Sequence, residues 1–218
     1  MDLFEFLYNI SIWAIPVLFA ITLHEVAHGR TARYFGDRTA EMLGRLSLNP
    51  LRHIDPIGTV LVPGLLLAVH GPLFGWAKPV PVATSALRNP RRAMILVALA
   101  GPAANFVMAA IWCAVLAAVV RLSGGETVGL WIARMAQAGI VINVILAVFN
   151  LLPIPPLDGG RVLAGLLPAP LGARLEKIEP VGLFIVLGLS AFGLLGWLFS
   201  PVNRAIGQVV HALLGSPI

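Results

Sequence analysis

The sequence predicts an all-α polytopic membrane protein, with about four to five transmembrane helices, a re-entrant segment and a short membrane-associated β region. Three observations carry that expectation. Of the 218 residues, 58% are apolar and 11% charged, with mean hydropathy +0.90, whereas a soluble domain carries about 25% charged residues to solvate its surface. Several apolar runs reach the ~20 residues that a span needs. Basic residues gather at the ends of those runs. The fifteen Lys and Arg against ten Asp and Glu therefore read as topology signals at membrane edges, not as a nucleic-acid surface.

The first span is expected at 3–27, interrupted by Glu5, Asn9, Ser11 and Thr22 before a polar cluster at its end. Asp2 and Glu5 stand where a signal peptide has its basic region, and no small-residue cleavage site follows. This segment is expected to stay in the mature chain. The stretch 41–48 alternates well enough for a strand, and Val80-Pro81-Val82 reads as extended, its prolines fitting only an edge. Between them, 57–77 is apolar but broken by Pro63, Gly64, His70, Gly71 and Pro72, with basic residues on both flanks. It is expected to dip in and return, not to cross.

Further spans are expected at 94–120, uncharged; at 130–152, carrying Arg134, Gln137, Asn143 and Asn150; and at 181–199, uncharged. The tail from 201 fits a short interfacial helix. Positive charge then places Arg30, Arg33 and Arg38 inside after an outside-to-inside first helix, and the 121–129 loop outside. Cys113, the single cysteine, can make no intramolecular disulfide and reads as packing. One membrane domain over 1–218 accounts for the chain.

His24-Glu25-Val26-Ala27-His28 is the most informative stretch. Residues i and i+4 of a helix differ by about 40° in azimuth, so both imidazoles can grip one ion, with the glutamate placed to act on water. Ionisable groups in a spanning helix are functional by default. The bland reading is a polar cluster solvating a helix end. A catalytic zinc usually has three protein ligands and an open position. His53, Asp55, His70, Glu126 and His211 are candidates for the third, and Asp158 stands apart. Pro153, Pro155 and Pro156 end the third span and Gly159-Gly160 lets the chain turn, so Asp158 is either a ligand or an ordinary turn aspartate. Gly101-Pro102-Ala103-Ala104-Asn105 is expected to break the 94–120 helix, with Asn105 either bridging helices or meeting a substrate backbone.

Three motifs in order, His-Glu-x-x-His, Gly-Pro-x-x-Asn and the long Asn150 to Arg161 run, resemble the site-2 proteases, zinc metalloproteases that cut peptide bonds within or near the membrane. The likeness takes in the 48–56 loop and the Gly75 to Val80 run, covers most of residues 20–165 within a core of 4–165, and is strongest to small bacterial and archaeal members. It implies His24, His28 and Asp158 as ligands of one Zn2+ per chain, Glu25 as the catalytic base and Asn150 near the substrate, with Asn105 as a weaker candidate for substrate or transition-state support. It also implies a membrane-protein substrate received as a strand near 41–48 and a home in a prokaryotic plasma membrane, with the site toward the cytoplasm. Larger members carry a PDZ or CBS domain and a helix ahead of the motif, none of which is legible here. The rivals are a non-proteolytic zinc binder or transporter, an inactive helix-binding relative, and a metalloprotease whose third ligand is Glu176 or Glu179.

Overall fold

The computed structural model describes residues 3–62, 65, 78–123 and 127–215. Among them the regular structure is helical. In chain order it comprises α1 (Leu3–Tyr34), α2 (Thr39–Met42), α3 (Pro90–Leu122), α4 (Thr127–Asn150), α5 (Asp158–Leu166), α6 (Ala169–Glu176), α7 (Glu179–Ala191) and α8 (Leu194–Leu214). α1, α3 and α4 are long and apolar enough to cross a membrane, and the bent pair α7–α8 makes up to four.

These three long helices pack on one another, α5 lies against α3, and α8 against α3 and α4. Leu116, Ala133, Ala136, Ile140 and Ile206 form the core between α3, α4 and α8. Ala32, Leu87, Ala93 and Val97 form a second cluster at the other end of α3. Phe106, Ile111, Phe184 and Trp197 stay bare on outer faces, as side chains solvated by lipid do. α1 has 32 residues, about 48 Å at 1.5 Å each, so it outruns a hydrocarbon core of about 30 Å. His24 lies about 32 Å along it from Leu3 by the same rise.

Several sequence expectations need correction. The strand at 41–48 is absent: α2 ends there in a Schellman turn, with Arg45 N–H to Ala40 O (2.8 Å), Gly44 N–H to Glu41 O (2.9 Å) and Gly44 at φ +65°. The apparent alternation is a helix end closed by a left-handed glycine. Val80-Pro81-Val82 lies outside any helix and joins no ladder among the described residues. The 94–120 helix does not break at Gly101-Pro102, since α3 runs through Pro102; neighbouring helices can re-satisfy the groups a membrane proline frees.

The fourth span is not a single rod. α7, with 13 residues, covers only about 20 Å, and the chain turns 74° at Phe192-Gly193 into α8. Gly193 sits at φ +72°, where a side chain is strained. The tail is therefore no separate interfacial helix: it continues α8 and buries Ile206 in the core. Of the expected re-entrant stretch, residues 56–61 form a π-type turn capped by Asp55, which accepts from Ile57 N and Gly58 N. Most of the remainder, including His70 and Gly75 to Ala77, lies outside the described residues, as does Glu126.

Candidate metal centre

The site is built by a relay of hydrogen bonds across three helices. On α4, Asn143 Nδ2 donates to Gly139 O (2.9 Å), which makes its Oδ1 the acceptor. Asn105 Nδ2 on α3 donates to that oxygen (2.9 Å) and to Ala20 O on α1 (3.1 Å). Asn105 Oδ1 is left to accept, and it takes the Nδ1–H of His24 (2.6 Å). Val97 O takes the Nδ1–H of His28 (2.7 Å). Both acceptors lack a proton to give, so this network assigns each imidazole proton to Nδ1 and leaves a bare Nε2 lone pair.

Those two Nε2 atoms lie 3.0 Å apart and 3.2 and 3.3 Å from Asp158 Oδ2. All three residues are buried, and Oδ2 accepts no hydrogen bond. Two lone pairs and a carboxylate oxygen facing one another repel unless a cation stands among them. Tetrahedral zinc, with bonds of about 2.0–2.2 Å, sets its ligand atoms about 3.3–3.5 Å apart, close to the spacing here. Gly101 of α3 backs the imidazoles so closely that a Cβ there would lie 2.4 Å from His28 Nε2. The donor set and its spacing fit one zinc ion, and the buried Nδ1 acceptors are the outer partners that metal-bound histidines use.

The chain around this site is similar to known metalloproteases. The sequence profile of Peptidase family M50, the site-2 protease family, matches residues 116–189. "Putative zinc metalloprotease YwhC" of Bacillus subtilis is 37% identical over 194 residues, covering 88% of this chain and 85% of the relative. The chain belongs to peptidase family M50. Two proteins named "Putative zinc metalloprotease Rip2" also align. The one from Mycobacterium tuberculosis H37Rv is 33% identical over 186 residues (85% of this chain, 69% of the relative), and that from Mycolicibacterium smegmatis is 35% identical over 142 (65% and 52%). No solved structure matches the chain.

Within this M50 chain, His24, His28 and Asp158 are the residues whose ligand atoms gather for a metal among those described. Glu25 follows His24, half-buried, and its Oε2 accepts the N–H of Val80 (2.7 Å). The other candidate ligands go elsewhere. His53 Nε2 pairs with Ser47 O (2.9 Å), Asp55 caps a turn, His211 sits on α8, and exposed Glu179 faces Arg161 (3.5 Å). Asn105, fully buried, spends its amide on helix bridging and on His24. Asn150 ends α4 and donates to Leu146 O (2.9 Å).

Two contributors were not legible in the sequence: Asn143, which orients Asn105 from another helix, and the Val97 carbonyl, which any residue type could supply. Asp37 is a third. Its buried carboxylate accepts from Thr39 N, Thr39 Oγ1 and Ala83 N (2.9, 2.6 and 2.7 Å). Burial alone would raise its pKa, but the bonds from Thr39 and Ala83 outweigh that and hold it below the ordinary carboxylate value. The non-helical run 80–83 is thus tied to α1 through Glu25 and just beyond it through Asp37.

Proposed function

We propose that this chain is a zinc-dependent intramembrane endopeptidase of the site-2 type, cutting within or near transmembrane segments of membrane-protein substrates. His24, His28 and Asp158 hold one zinc ion and Glu25 is the general base. The observation that carries this reading is the convergence of two bare Nε2 atoms and an unpartnered carboxylate oxygen beside a glutamate. Zinc bound there supplies Lewis acidity, activating water and polarising the scissile carbonyl.

The protein's own residues do the rest. Asn105 Oδ1 and Val97 O hold the Nδ1 protons, so both rings turn their Nε2 atoms toward Asp158. Val80 N–H fixes one carboxylate oxygen of Glu25, and the other takes the proton of the attacking water, then delivers it to the leaving amine. Asn150 supports the substrate from the end of α4. A substrate helix must unwind to bare its peptide bond, and the non-helical run 80–83 beside Glu25 is where an unwound segment would pair.

Arg30, Arg33 and Arg38 after the metal-bearing turns of α1, and Arg91 and Arg92 at the start of α3, favour a cytoplasmic site in a plasma membrane. The deciding experiment measures zinc content and cleavage of a single-span membrane substrate in detergent, for wild type and Glu25→Gln. Zinc in both with cleavage only by wild type is the expected result. Full cleavage by Glu25→Gln removes the base assignment, and a wild type without zinc removes the site.

A further inference from the structure

α3 touches both histidines of the metal centre directly and the third ligand through its helix. It presents Val97 O to His28 and Asn105 Oδ1 to His24. The third ligand, Asp158, is the first residue of α5, and α3 grips α5 by its other end. There Arg91 Nε donates to Gly165 O (2.7 Å), while Nη2 donates to Leu166 O (3.3 Å) and to Leu167 O. The last carbonyls of a helix have no partner within it, and a cation placed there also offsets the negative end of the helix dipole.

A nine-residue helix, about 14 Å long, depends on packing against its neighbours, which set where it sits. At the N-terminal end Gly159 closes on the preceding turn, where a Cβ would lie 2.2 Å from Leu151 O. At the C-terminal end Gly165 lets α3 come close, its absent Cβ lying 2.5 Å from Ile95 Cγ1. Arg91 then fastens that contact in register.

We infer that Arg91 is a positioning residue of the metal centre: by clamping the C-terminal carbonyls of α5 onto α3, it holds Asp158 at its distance from the two imidazoles. The inference rests on the reading that these three residues bind zinc. A short helix moves as a rod, so a slip at its clamped end is passed to Asp158. Metal sites tolerate ligand displacements of only about 0.2 Å. The neighbouring Arg92 is exposed and shows no such bond to the described residues, which makes it the matched control.

The test loads the full-length protein with zinc in detergent and follows zinc release to an excess of chelator, beside helicity and the melting temperature of the zinc-free form. Arg91→Ala is expected to release zinc about tenfold faster, the scale of an outer-partner loss, with wild-type helicity. Arg91→Lys, which keeps the charge but not the fork, falls between, and Arg92→Ala matches wild type. A purely structural role lowers the melting temperature without changing release, and that result overturns the inference, as does wild-type release from Arg91→Ala. If Arg91→Ala does not fold, Arg91→Lys decides, and wild-type release from it overturns the inference. A wild type that binds no zinc overturns the metal reading and this inference together, whereas a zinc-loaded wild type matched by Arg91→Ala overturns this inference alone.

Discussion

A methyl group added at Gly101 would lie 2.4 Å from His28 Nε2 and 2.6 Å from His24 Cε1, nearer than any Cβ can approach. Gly101→Ala is therefore expected to push both imidazoles off their acceptors and weaken zinc binding by about 10–100-fold, read by zinc titration. Asn105→Ala acts one turn along the same face of α3. It strands His24 Nδ1, Ala20 O and the Asn143 amide oxygen together, at about 1–3 kcal/mol for each buried group left unpaired. Its expected signature is a lower melting temperature joined to weaker zinc binding. At this scale the His-Glu-x-x-His spacing was legible because ligand pairing on a helix is a local matter. The bridging partners of Asn105 were not, because they are 85 and 38 residues away.

Between elements, the run 80–83 depends on two carboxylates of or just beyond α1. Asp37 donates nothing and accepts three hydrogen bonds, so its charged form favours the folded state. Its folded pKa lies below the unfolded value of about 3.9. The stabilisation is then complete above about pH 4 and fades as pH falls through the lowered folded value. Asp37→Asn is expected to be less stable by about 2 kcal/mol near neutral pH, the gap to wild type closing in acid; unfolding curves between neutral pH and strong acid check this. A constant gap at every pH contradicts the assignment. The same region shows why a strand was read at 41–48. Alternation is a two-residue signal, and Gly44 closing α2 produces it over a short window without any partner strand.

For the whole molecule, zinc that binds only the folded chain must stabilise it. At free zinc 1,000 times its dissociation constant the gain is about 4 kcal/mol. Chelation is expected to lower the melting temperature, zinc to restore it, and Asp158→Ala to abolish the response in thermal melts. Orientation can be read in the same protein. With Cys113→Ser as background, Arg38→Cys is expected to react with an impermeant thiol reagent from the cytoplasmic side, and Leu122→Cys from the opposite side. Labelling of both from one side contradicts the proposed topology.

The sequence by itself determined the membrane class, the three long spans and the identity of the metal-binding candidates. Apolar composition and local spacing act within one helix and need no partner to be read. It also marked Asp158, through the prolines that stop α4 and the glycines that start α5. Only the tertiary structure decided that α7 and α8 part at Gly193, that α3 continues through Pro102, that Asn143, Asn105 and the Val97 carbonyl form the hydrogen-bond network behind His24 and His28, and that Arg91 caps the end of α5. Each of these depends on a neighbour brought close by packing, and a hydrogen-bond partner many residues away leaves no periodic trace along the chain.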